Sequence, residues 1–221
     1  MFDHGTRHRF AASLAKGAGM FAFVSLTVAA SSVTGSNSAG AAEAADLVYF
    51  CSSCHGPEGR SASSRFPRLA GQQKDYIIAQ LQDFRDNTRT APHAQNYLDY
   101  LVMWGLTAQL DPPTTDAIAA FYASQAPVAG QPVASPEIAA GRRIYFEGAP
   151  SQSVPACISC HGAKAQGNGP IPRLAGQYQD YLVRQLEAFA VWARQNATMH
   201  ANSVNLTPEQ INEVTAYLST L

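Results

Sequence analysis

The sequence predicts an all-α protein built from two tandem domains, and three observations carry that prediction. Apolar residues recur at helical rather than strand spacing, a block of sequence occurs twice, and each copy begins with the same cysteine and histidine motif. At 221 residues the chain exceeds one typical domain, while each half is short enough that an apolar core alone leaves it marginal. Something besides packing must therefore hold each half together.

The motifs supply it. Cys51-Ser-Ser-Cys54-His55 and Cys157-Ile-Ser-Cys160-His161 use all four cysteines of the chain. Two thiols three residues apart can form thioether bonds to the two vinyl groups of one haem, and the adjacent histidine then lies under the porphyrin as an iron ligand. A thioredoxin-like pair needs a βαβ setting, and a zinc site needs matched ligand pairs. Neither accounts for a histidine directly after the second cysteine, twice. The sequence thus predicts two covalently attached haem c groups with one iron each, bound through Cys51, Cys54, Cys157 and Cys160, with His55 and His161 as proximal ligands.

Residues 1–41 read as an export signal. Arg7, Arg9 and Lys16 precede an apolar stretch from about Ala18 to Ala30, and Ala39-Gly40-Ala41 is a small-x-small cleavage site. The rival reading is a retained anchor, but the strongly apolar part falls short of the roughly 20 residues a spanning helix needs. Attachment of haem c belongs outside the cytoplasm, so a bacterial periplasm is the expected compartment. Removing 1–41 leaves 12 basic and 15 acidic side chains, a formal charge of −3, with the excess acid in the first half. No long basic run is present, which argues against nucleic acid as a partner.

The repeat is legible without any second sequence. Phe66-Pro-Arg-Leu-Ala-Gly-Gln72 recurs as Ile171-Pro-Arg-Leu-Ala-Gly-Gln177, with Asp75-Tyr76 and Gln80-Leu81 matched by Asp180-Tyr181 and Gln185-Leu186. The uncharged, Pro- and Gly-rich segment 127–134 separates the copies as a linker, giving a first domain over 42–126 and a second over 135–221.

Each copy reads as helical. Ser135 caps a helix with Pro136 at its first position, and Gly141, four residues before Tyr145, suits a close helix crossing; Ala45 and Tyr49 stand in the same relation in the first copy. Ile77, Leu81 and Phe84, matched by Leu182, Leu186 and Phe189, form a core-facing stripe. Thr207-Pro208-Glu209-Gln210 is a capping box opening the last helix, whose counterpart starts at Asp111-Pro112 and carries Ile118, Phe121 and Tyr122. Trp104 and Trp192, which are not repeat-equivalent, are expected in the core or against haem.

With its paired Cys-x-x-Cys-His-Gly motifs, the Pro-Arg-Leu-Ala-Gly-Gln segments and a helix closing each half, the chain resembles the cytochrome c4 family of dihaem electron-transfer proteins. The resemblance covers essentially all of 42–221 and implies two tandem class I cytochrome c domains, each wrapped around one haem with an exposed edge. It implies that the carbonyls of Pro67 and Pro172 accept the second ring N–H of the proximal histidines. Arg68, Arg173, Tyr76 and Tyr181 are expected to hydrogen-bond the haem propionates. About ten residues before Met103, and Glu147 to Ala156 before the second motif, have no counterpart in the other copy.

Beyond the signal only Met103 and Met199 remain, each seven residues before the leucine, Leu110 or Leu206, that precedes the last helix. A thioether ligand favours ferrous iron and raises the potential, so both are expected as sixth ligands; the plainer alternative for each is core packing. For the first haem His93 competes, lying as far beyond His55 as Met199 lies beyond His161; His200 is the neighbour that could replace Met199.

Closed six-coordinate irons suit carriage of single electrons between respiratory redox proteins, from a donor complex to a terminal oxidase or reductase, and no catalysis by the chain itself. The alternatives are a cytochrome subunit of a periplasmic dehydrogenase, held at the membrane only through its partner complex, and a dihaem enzyme such as a peroxidase, which needs an open iron position.

Overall fold

The computed structural model describes residues 36–90 and 97–221. The apolar stretch of the expected signal and His93 lie outside these residues. Nine α-helices form among the described residues: α1 (Ser36–His55), α2 (Lys74–Arg85), α3 (Tyr97–Thr107) and α4 (Pro112–Ser124) in the first half, then α5 (Pro136–Glu147), α6 (Ile158–His161), α7 (Gln179–Ala190), α8 (Ala197–Ser203) and α9 (Pro208–Ser219). Extended pairing among the described residues is limited to isolated bridges. None of the described helices is long and apolar enough to cross a membrane.

Helix starts follow the local chemistry. The Ser135 hydroxyl accepts from the Ile138 N–H at 3.2 Å with Pro136 in the first turn, and the Asp111 carboxylate accepts from the Thr114 N–H at 2.8 Å. At α9 the capping box closes in both directions: the Gln210 N–H donates to the Thr207 hydroxyl, and the Thr207 N–H to the Gln210 side chain. Each such cap stabilises its helix by about 1 kcal/mol.

Two cores form, one per half. In the first, Ile77 of α2 packs with Ile118, Ala119 and Tyr122 of α4, joined by Leu47, Val48 and Cys51 of α1. In the second, Ile144 and Tyr145 of α5 pack with Leu182 of α7 and Val214, Tyr217 and Leu218 of α9. Burying each large apolar side chain contributes roughly 1.5–3 kcal/mol. Both cores include the first cysteine of a motif at their edge. A haem attached there would extend each core.

The expected close crossing is present in the second half. A Cβ on Gly141 would run into the Glu213 carbonyl of α9, so only glycine lets α5 approach that far. Tyr145 is fully buried there and donates its hydroxyl to the Gly162 carbonyl at 2.6 Å. The first half does not repeat this: Tyr49 is 85% exposed. The cause is continuity. Helix α1 runs unbroken into its motif, whereas α5 stops at Gly148, with φ of 74°, and the chain turns through Pro150–Gln152 before α6. The same Tyr-Phe pair thus meets different surroundings. Trp104 and Trp192 are 42% and 44% exposed and so lie outside the two apolar cores, which leaves packing against haem as the expectation for them.

The segment between α4 and α5 is held between the halves. The Gly130 N–H donates to the Leu221 carbonyl, and Pro127 lies where a side chain at Gly71 would go. Gly71 and its repeat partner Gly176 both have positive φ, and their N–H groups bond Tyr122 and Leu218 at the ends of α4 and α9.

Candidate haem sites

Local folding arranges each motif. In the first half Cys51 and His55 lie one helical turn apart near the end of α1; in the second, Cys157 precedes the short α6, which ends on His161. None of the four cysteines is in a disulfide; Cys54 and Cys160 are exposed and Cys51 and Cys157 half-buried. Burial pushes the Cys157 thiol up to about 11 and raises that of Cys51, so neither is an ionised nucleophile at neutral pH.

Both histidines are buried, and their second-nitrogen partners match. His55 donates Nδ1–H to the Pro67 carbonyl at 3.0 Å, and His161 donates Nδ1–H to the Pro172 carbonyl at 3.1 Å. That bond selects the tautomer whose Nε2 lone pair is free for a metal. Burial lowers the pKa of both imidazoles, against the opposing effect of the proline carbonyls, and keeps them neutral as ligation requires. The residues of each motif fit haem c: two thiols on one helical turn and a neutral, oriented imidazole after them. Met103 lies on α3 and Met199 on α8, the latter helix started by Asn196, whose side chain accepts from the Met199 N–H at 2.9 Å. His200 donates Nδ1–H to the Phe189 carbonyl at 2.8 Å and meets Trp192 edge-on.

The residues expected at the propionates gather where the halves meet. The Gln177 side chain bonds both backbone groups of Arg68, and the Gln72 side chain bonds both backbone groups of Arg173. The Arg68 guanidinium stacks 4.0 Å over Tyr178 and donates to the Gly176 carbonyl, while its buried Nε has no partner. The Tyr76 hydroxyl accepts from Arg194 and the Tyr181 hydroxyl from Arg89, at 2.7 and 2.8 Å. The repeated Pro-Arg-Leu-Ala-Gly-Gln block is thus also the seam between the halves.

Sequence reasoning missed Gln72, Gln177, Arg89 and Arg194. The signal was available: Arg89 and Arg194 stand at the same distance beyond Gln80 and Gln185 in the two copies.

Comparison with known proteins agrees with this arrangement. The cytochrome c family model matches residues 41–125 and again 138–221. The chain is 33% identical over 178 residues to cytochrome c4 of Azotobacter vinelandii, covering 77% of this chain and 84% of that one. It is 32% identical over 177 residues to the thiosulfate dehydrogenase electron acceptor of Thiomonas intermedia, covering 76% and 77%. The crystal structure of reduced cytochrome c4 from Pseudomonas stutzeri superposes with a TM-score of 0.70 at 30% identity, over 84% of this chain and 98% of that one. With two cytochrome c domains, two complete attachment motifs and two matched histidine sites, the chain belongs to the cytochrome c4 family of dihaem electron carriers, with two covalent haem c groups.

Proposed function

We propose that His55 and His161 are the proximal iron ligands, Met103 and Met199 the distal ones, and that the chain shuttles single electrons between respiratory redox proteins of the periplasm. The observation that carries this reading is the pair of buried histidines, each with Nδ1–H given to a proline carbonyl and Nε2 left free. When bound, haem c supplies a reversible one-electron ferric/ferrous couple.

The chain's own residues set the terms. The proline carbonyls make the histidines more basic ligands and fix their rings, and the soft methionine sulfur favours ferrous iron. Arg68, Arg173, Tyr76 and Tyr181, gathered where the halves meet, would share the propionate negative charge. A histidine and a methionine on each iron would leave no open position for a substrate, which favours carriage over catalysis. The ferric protein should show sulfur-to-iron charge-transfer absorption from both haems. Absorption from one haem alone, or from neither, contradicts the ligand set.

A second reading has a specific observation behind it. The Thiomonas intermedia relative is named as the electron acceptor of a thiosulfate dehydrogenase. The same fold can serve as the haem subunit that drains a periplasmic dehydrogenase, and co-purification with a catalytic subunit distinguishes that role from a freely diffusing carrier.

A further inference from the structure

Ser203 ends α8, is wholly buried, and its hydroxyl has no hydrogen-bond partner among the described residues. A buried hydroxyl without an acceptor costs free energy, and folded proteins leave few of them. The acceptor ordinarily open to a helical serine is the carbonyl one turn back, here that of Met199, yet Ser203 does not use it. The other group one turn back is the Met199 side chain. Residues four apart share a helix face, with Cβ atoms about 5–6 Å apart, and the later side chain leans toward the earlier one. A thioether sulfur is an acceptor, though a weak one.

The first half has the same arrangement with a different outcome. Thr107 stands four residues after Met103 on α3 and is as deeply buried, 1% exposed against 0% for Ser203. Its hydroxyl donates to the Trp104 carbonyl at 3.1 Å. At matched positions of the repeat, one hydroxyl is thus committed to the backbone and the other is unspent.

Helix α8 is anchored at the turn that carries Met199. The Asn196 side chain accepts from the Met199 N–H at 2.9 Å, and His200 donates Nδ1–H to the Phe189 carbonyl of α7 at 2.8 Å. These bonds hold the backbone from which Met199 projects in fixed register with Ser203, one turn on.

We propose that the Ser203 hydroxyl donates a hydrogen bond to the Met199 sulfur, making Ser203 a positioning residue that tunes the second haem, whereas Thr107 does not tune the first. This rests on the reading of Met199 as an iron ligand and extends it. A donor on the sulfur draws electron density from it and weakens its donation to iron. Ferric iron depends on that donation more than ferrous, so the bond raises the potential.

The test uses the holoprotein, with covalent haem counted first so that loss of attachment is separated from tuning. The couple that moves in Met199→Ala identifies the second haem. Ser203→Ala should shift the ferric/ferrous ratio of that haem toward ferric at fixed poise by about threefold, where tenfold corresponds to about 59 mV. It should also displace the sulfur-to-ferric-iron charge-transfer absorption of that haem without abolishing it. Thr107→Val, a truncation of equal size in the first half, should leave the other couple in place. If Met199→Ala moves neither couple, the ligand reading falls and the inference with it. If Met199→Ala moves one couple but Ser203→Ala leaves its potential and absorption unchanged, the ligand reading stands and the inference is overturned, the hydroxyl then only filling space. An equal shift of the first haem in Thr107→Val would overturn it as well, as a general effect of losing a buried hydroxyl.

Discussion

Gln72 in the first half closes a two-bond ring onto the backbone of Arg173 in the second, its amide donating to the carbonyl at 2.9 Å and accepting from the N–H at 2.7 Å. Gln177 does the same to Arg68 in the reverse direction. The seam is thus closed by side-chain amides acting as strand partners would, each saturating both backbone groups of a residue that has no sheet to join.

Gln72→Ala strands two partly buried backbone groups and should destabilise the holoprotein by about 1–3 kcal/mol. Gln72→Glu should be no better, because a carboxylate accepts from the Arg173 N–H but opposes its carbonyl. Chemical denaturation followed at the haem absorption checks this; a midpoint within error of wild type for both variants contradicts a stabilising seam.

Two glycine substitutions should have opposite effects. Gly141→Ala forces a methyl into the Glu213 carbonyl, and overpacking of this kind costs about 1–3 kcal/mol. Gly105, within α3, has open space around its Cβ position, so Gly105→Ala should stabilise by up to about 1 kcal/mol through helix propensity. Thermal unfolding of the two variants against wild type reads both signs.

Much of this was written locally in the chain. The Thr207 to Gln210 box, the Ser135 cap and the Ile77 and Leu182 stripes need only neighbouring residues, and each forms as the spacing predicts. Both histidines also meet the prolines that the family resemblance assigns them. What the sequence hid depends on context. Tyr49 and Tyr145 share a local pattern, but one helix runs straight into its motif and the other breaks, so the rings part company. The seam pairs Gln72 with Arg173 and Arg89 with Tyr181, 101 and 92 positions apart, and a repeat announces that such residues are equivalent without saying that they face each other.

Met103→Ala should abolish sulfur-to-ferric-iron charge transfer from the first haem, while His93→Ala leaves it intact. Met103 matches Met199 when counted back from the closing helix, and the extra residues belong to the loop before it. The reverse result makes the first haem bis-histidine and lower in potential.

Met199→Ala should leave the second haem attached through Cys157 and Cys160 but lower its potential and open its iron to cyanide or carbon monoxide. His200 also gives Nδ1–H to a carbonyl, that of Phe189, which keeps its Nε2 free and makes it the residue that competes with Met199. Unchanged potential with no new ligand binding would point to His200 as the true ligand.

Coulometric titration of the mature protein, followed at the haem absorption, tests the central claim most directly. Two reversible one-electron steps per chain are expected, one from each covalent haem, with the spectrum fully restored on reoxidation and nothing consumed. A single electron per chain, or reoxidation that requires and turns over a small-molecule substrate at one haem, would contradict a carrier with two closed sites.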